Sequence, residues 1–294
     1  MFEFLKKRIM KDSKKLDKML SGLCRNEISI VISGKPENAS PFISKFGGKP
    51  AVPADFIWPR FEAADYDGEV VNRPLSFLCQ INLEEMQAYD KEKLLPKKGM
   101  LLFFYEMETM CWGYDPADNG CARVYYFPDV NGLAEMDLPE DLREDFRVEE
   151  FCLAFSAGDS YPSFEELYCH TDLDCDWEEY DETLTKLGCD MEIERHKLLG
   201  YADPVQGEML TECERISRDM YCGNPESYQN TSEDEEASIM KAASDWILLF
   251  QMSSFEEDGY EIMFCDMGNI YFYIRKQDLK AHNFDRIHFS LQCG

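Results

Sequence analysis

Apolar and polar positions alternate along Ile28-Ser29-Ile30-Val31-Ile32-Ser33-Gly34, and the run stops at glycine, which predicts a strand. Upstream, Leu5, Ile9, Leu16, Met19, Leu20 and Leu23 recur at helical spacing among lysines, with Gly22 as a stop signal. That pattern predicts an amphipathic helix packed on the rest of the chain. Phe46-Gly47-Gly48-Lys49-Pro50-Ala51-Val52-Pro53 and Trp58-Pro59 then punctuate the sequence. Glycine widens backbone freedom and proline removes a donor, so this stretch reads as an ordered loop laid over a core. Three apolar runs follow, 75–81, 99–105 and 122–128, and each predicts a strand. Asn82 caps a short helix after the first of them, with Glu84 and Glu85 in its opening turn. No long helical crossover separates these runs, as a parallel sheet would require, so the strands are expected to pair antiparallel.

The C-terminal part repeats this order. His196-Lys197-Leu198-Leu199-Gly200-Tyr201-Ala202-Asp203-Pro204-Val205 echoes the first Gly/Pro loop, and Trp246-Ile247-Leu248-Leu249-Phe250-Gln251-Met252 echoes Ser76-Phe77-Leu78-Cys79-Gln80-Ile81. Runs 268–274 and 286–292 echo the strands near Gly99 and Val124. The expected fold class is α+β: mostly antiparallel sheets from two tandem, internally duplicated β-rich halves, with an N-terminal helix and peripheral acidic helices. The expected divisions are the helix over 1–27, a first half over 28–135, an acidic helical or irregular connection over 136–195, and a second half over 196–294. Within the connection, residues 138–146 and 163–167 open with helix-start signals, so acidic helices with solvated faces are expected there. Ser232-Glu233-Asp234-Glu235-Glu236 reads as a mobile loop or the first turn of a helix.

Charge changes the picture most. The 294 residues carry 58 Asp and Glu against 30 Lys and Arg, a formal net charge of −28. A field of that sign repels nucleic-acid phosphates and anionic headgroups, so neither nucleic acid nor membrane is an expected partner. A basic protein is, with plain solubility as the alternative use of the charge. Candidate contacts for such a partner are Glu140, Asp141, Glu144, Asp145, Glu165, Glu166, Glu178 and Glu179. No apolar run approaches the ~20 residues of a membrane span, and acid and base stand where a leader would be apolar. The twelve cysteines form no Cys-x-x-Cys. Together these predict a cytoplasmic location with reduced thiols.

Motifs for chemistry are sparse. Cys169-His170-Thr171-Asp172-Leu173-Asp174-Cys175-Asp176 gathers metal-ligand residue types. Counting from Asp172, however, Trp177 and Thr183 stand where a calcium loop needs glycine and glutamate, and no second spaced pair completes a zinc set. No metal and no cofactor is expected. There is no Gly-x-Ser-x-Gly elbow and no phosphate-binding Gly-x-x-x-x-Gly-Lys-Ser/Thr. Catalytic residues are therefore unassigned. The polar residues to inspect are Gln80, Gln251, Asp266 and Gln292, within or beside apolar strands, and His196 at the second loop. They either line a cleft between the halves or, as the plainer use, satisfy the backbone of the irregular loops. Trp58 is either part of that cleft or a plug beneath its loop.

Phe46-Gly47-Gly48-Lys49-Pro50 with Pro53 and Trp58-Pro59, then Phe77-Leu78-Cys79-Gln80-Ile81-Asn82-Leu83, His196-Lys197-Leu198-Leu199-Gly200 and Asp266-Met267-Gly268-Asn269-Ile270-Tyr271-Phe272-Tyr273-Ile274 form a recognisable set. In these the chain resembles the YwqG family, the DUF1963 domain, bacterial proteins of unknown biochemical function. Members carry Trp-Gly where this chain has Phe264-Cys265. The resemblance implies a β-rich α+β fold with internal duplication, and no reaction. The expected function is a protein-binding module of adaptor or toxin-neutralising type engaging a basic partner. The alternative is an enzyme or small-ligand binder using a cleft between the halves.

Overall fold

A computed structural model describes residues 15–37, 39–64, 67–167, 169–171, 175–189, 195–229 and 231–294. The first strand, β1 (Arg25–Gly34), is followed by two short ones, β2 (Lys45–Phe46) and β3 (Ala51–Pro53), and by the hairpin β4 (Arg60–Ala64) and β5 (Val70–Pro74). The three apolar runs become β6 (Ser76–Asn82), β7 (Met100–Tyr105) and β8 (Ala122–Phe127), with β9 (Leu133–Glu135) after them. Next come β10 (Phe151–Ser160), β11 (His196–Leu199) and β12 (Trp246–Ser253). A small hairpin, β13 (Phe255–Glu257) and β14 (Tyr260–Ile262), precedes β15 (Asn269–Arg275) and β16 (Ile287–Gln292).

Ten of these strands form one sheet in the order β16-β15-β12-β11-β1-β10-β2-β6-β7-β8, antiparallel at every step. The sheet curls until its ends meet. Phe103 of β7 lies 4.6 Å from Phe250 of β12, and Tyr105 of β7 stacks at 4.3 Å on Phe289 of β16. At the junction the Leu291 N–H donates to the Trp112 carbonyl at 3.0 Å. The inner face carries the main core, including Ile28, Ile30, Phe46, Ile81, Phe103, Phe250 and Phe272. Each such side chain contributes about 1.5–3 kcal/mol by burial.

The outer face is covered too, which is why β6, β7, β12 and β15 read as almost continuous apolar runs. Over β6 and β7, Phe77, Met100, Leu102 and Phe104 pack under β3, β9 and the Gly/Pro loop. Over β12 and β15, Leu248, Tyr271 and Tyr273 pack under helices. In chain order the helices are α1 over residues 15–23, α2 (Leu83–Met86), α3 (Phe164–Leu167), α4 (Trp177–Lys186), α5 (Leu210–Ile216), α6 (Glu226–Gln229), α7 (Glu233–Ala243) and α8 (Lys276–Lys280). Leu16 and Leu20 of α1 are buried with Leu167, Tyr180 and Leu184 of α3 and α4. Leu5 and Ile9 lie outside the described residues. Asn82 caps α2, and Ser232 caps α7 by accepting from the Glu235 N–H.

One strand stands where the sequence reading places a helical or irregular connection. β10 runs through the middle of the sheet, paired with β1 from Arg25↔Ser160 to Gly34↔Cys152. Its apolar ladder, Phe151, Leu153, Phe155 and Ala157, has the two-residue period of a strand. Asp and Glu dominate the flanking sequence and mask that period. Among the described residues no helix is long and apolar enough to cross a membrane.

Candidate functional site

The two Gly/Pro loops are anchored by the same contacts. In the first, Lys45 of β2 lies opposite Gln80 of β6; in the second, Lys197 of β11 lies opposite Gln251 of β12. Beside each glutamine the ladder slips by one residue, between Phe77 and Cys79 and between Leu248 and Phe250. The slip lets two successive residues face inward and turns the glutamine outward, under the loop. Gln80 Oε1 accepts from the Ala51 N–H at 3.0 Å, and its Nε2 donates to the Ile43 carbonyl at 2.8 Å. Gln251 Oε1 accepts from the Asp203 N–H at 2.9 Å, and its Nε2 donates to the Arg195 carbonyl at 3.0 Å. Both loops then turn through two left-handed residues, Gly47 and Gly48 in one, Leu199 and Gly200 in the other. Gln292 ties down the second loop further by accepting from the Val205 and Gln206 amides.

The lysines were missed by the sequence reading. Both are buried, and each is neutralised by two carboxylates. Lys45 Nζ lies 3.1 Å from Glu150 and 3.5 Å from Glu135; Lys197 Nζ lies 2.6 Å from Asp203 and 3.2 Å from Glu27. A signal was available in Lys45-Phe46-Gly47-Gly48 against Lys197-Leu198-Leu199-Gly200, a lysine placed alike in both loops.

His196 is buried on the other face of β11, edge-on to Phe46 at 5.0 Å and to Phe255 at 5.4 Å. Its Nδ1 accepts from the Ser253 N–H at 3.1 Å, and burial pushes its pKa down to about 4. The ring is therefore neutral at pH 7, held as an acceptor. Asp266 is exposed in the turn before β15, between Cys265 and Met267, both at positive φ. Trp58 donates from Nε1 to the Leu75 carbonyl at 2.8 Å and packs edge-on to Phe104. Gln80, Gln251, His196 and Asp266 are thus not gathered around one cleft.

The eight acidic candidates fall in two places. Asp141 pairs with Arg60, Asp145 with Arg143, and Glu140 and Glu144 are exposed beside them. Glu165, Glu178 and Glu179 belong to the first turns of α3 and α4, whereas Glu166 is buried against His170. Asp172 and Asp174 lie outside the described residues.

A cavity of about 430 Å³ opens elsewhere, at the seam where β8 and β16 face each other. The two-residue period that sends the Leu291 amide across the seam to Trp112 sends those of Ile287 and Phe289 the same way. Trp246, Ile216, Ala122 and Phe289 supply apolar wall, and Arg123, Asp278, Arg286 and His288 supply polar groups. Asp118, whose carboxyl burial pushes above the usual range, closes one side by accepting from the Gly113 N–H at 3.0 Å. His288 Nε2 stands 3.4 Å from Glu212. A second hollow of about 420 Å³ shares Arg123, Asp285 and Ile287 with the first and reaches Trp58, so the seam is a groove with two basins. These cavity residues escaped sequence reading because they are charges scattered over a strand, a loop and a short helix far apart in sequence, and only long-range curling brings them together.

A family model described as a domain of unknown function, DUF1963, matches residues 44–293. No curated protein matches the chain.

Proposed function

The chain belongs to the DUF1963 family, a domain without an assigned function, and from that premise we propose that it is a small-molecule-binding protein whose site is the seam cavity. One observation carries this reading: the sheet curls almost to closure yet leaves an opening of about 430 Å³ between its two edge strands. That volume lies within the range of ordinary ligand sites, and apolar walls with a few convergent polar groups are their usual make-up. The matched anchoring of the two loops supports an internal duplication. In that picture the seam is the cleft between the halves, and Trp58 is the one candidate from the sequence that reaches it. The location that fits is the cytoplasm, with its thiols reduced.

The experiment is a thermal-shift panel of metabolites on the intact chain and on Ser217→Trp, whose exposed residue lines the cavity mouth. A ligand that binds only the folded state raises the melting temperature by mass action. Expected are shifts with one class of compound that vanish in Ser217→Trp. Shifts that persist in the plugged variant move the site elsewhere, and a panel without any shift ends the reading. A second reading, capture of a basic protein, is favoured by the net charge of −28 and by the exposed Glu140, Glu144, Glu165 and Glu178. It requires capture that weakens as salt rises.

A further inference from the structure

The charge state of the ligand can be read from the pairing of the charges around the cavity. In a chain with 58 acidic side chains, nearly every described arginine has found a partner. Arg60, Arg73, Arg143, Arg195, Arg215, Arg218 and Arg275 meet carboxylates, Arg147 donates to a carbonyl, and Arg25 lies over Tyr201. The two described arginines left without a hydrogen bond, ion pair or ring contact are Arg123 and Arg286; both are exposed to solvent, and both line the same cavity. One projects from β8 and the other from the approach to β16, on opposite sides of the seam.

The cavity also holds the reverse deficit. Asp278, on α8, is 7% exposed and lines the same wall, and its Oδ2 is buried with no hydrogen-bond partner. Its Oδ1 receives only a 3.4 Å contact from Asn283. A buried carboxylate oxygen left unsatisfied costs free energy that a donor supplied by a ligand would recover. The remaining carboxylates of the wall differ from it: Asp115 and Asp118 accept backbone N–H bonds, and Asp219 and Asp285 stand in solvent.

We propose that the ligand of the seam cavity is zwitterionic, an amino acid or short peptide whose carboxylate is gripped by Arg123 and Arg286 and whose protonated amine donates to Asp278. The guanidinium fork matches a carboxylate in two parallel bonds, and an ammonium offers three donors to a carboxylate whose Oδ2 has none. Trp246 and Phe289, in the lining of the same cavity, give the ligand side chain an apolar surface. Neither pole alone explains the cavity. A simple anion leaves Asp278 unsatisfied and adds charge beside it, and a simple amine leaves two arginines unpaired. The volume of about 430 Å³ leaves room for a dipeptide.

This inference rests on the seam cavity being a ligand site, and the test separates the two. Calorimetric titrations of the intact chain would use Ala-Phe, Ala-Leu and Gly-Gly, each also as the N-acetyl and the C-terminal amide form. The expected result is binding of at least one free dipeptide, weakened tenfold or more by either block. Asp278→Asn should erase the discrimination against acetylation, and Arg123→Gln with Arg286→Gln that against amidation, with the folded state of each variant checked by its melting curve. Blocked and free peptides binding alike would overturn the zwitterion assignment while leaving the cavity a ligand site. So would the absence of dipeptide and free amino-acid binding in a chain that still shows Ser217→Trp-sensitive shifts with another compound class. Absence of both would overturn the cavity reading itself.

Discussion

A buried lysine is costly to hold, and among the described residues there are two, differently compensated. Lys197 is closed in by Glu27 and Asp203, whose side chains are 2% and 14% exposed. Lys45 faces Glu135 and Glu150, at 44% and 32%. Removing one partner of a buried pair strands the other charge, at a cost of about 3–5 kcal/mol. Lys197→Met leaves Glu27 and Asp203 on Arg195, which pairs with both, so it should lower urea-unfolding stability by less than that; Lys45→Met should cost less again, because its carboxylates can turn to water. His196 gives a pH-dependent counterpart. In the unfolded chain its imidazole takes a proton near pH 6.5, but in the folded protein only at about 4. Between those values the unfolded state binds more protons, so this residue's contribution to stability is complete above about pH 6.5 and is lost as the pH falls towards 4. The loss reaches about 3 kcal/mol at most for a shift of that size. His196→Asn keeps an acceptor for the Ser253 amide and removes the titration. Its stability should fall less steeply between pH 6.5 and 4 than that of the parent, as followed by denaturant melts.

At the scale of elements, the seam depends on a close approach that only glycine permits. Gly113 has φ +89°, and a Cβ there would stand 1.9 Å from the Phe289 carbonyl oxygen. Gly113→Ala should force the loop between β7 and β8 away from β16, with faster amide exchange at Leu291 and a melting temperature lower by several degrees; unchanged exchange at Leu291 would mean that the seam is not held there. The strands β6, β7, β8, β12, β15 and β16 were legible because they are apolar on one or both faces and, β12 apart, have glycine, asparagine or proline near their ends. β10 was not: acidic neighbours hid its period, and one face of it is half-exposed. The glutamines were legible as polar residues inside apolar runs. Their use, holding loop amides, follows from the ladder slip beside them, and the slip is set by the register with a strand distant in sequence. Arg123, Asp278 and Arg286 look in sequence like any surface charges, because nothing local marks which charges will be left without partners.

Across the whole molecule, the ten-stranded sheet is assembled from the outside of the sequence inwards and back again. β1, near the start of the chain, takes the middle of the sheet, between β10 and β11. Its partners are Ser160 for Arg25 and Leu199 for Glu27, so neither edge of β1 can be satisfied by residues close to it in sequence. On a ribosome adding about 5–20 residues per second, β1 would emerge with both edges bare and wait roughly 6–25 s for β10. The four strands β2, β6, β7 and β8 would meanwhile have all their mutual partners in hand. Nascent chains of this protein thus pass through an interval in which β1, with its alternating apolar face, has no mate on either edge.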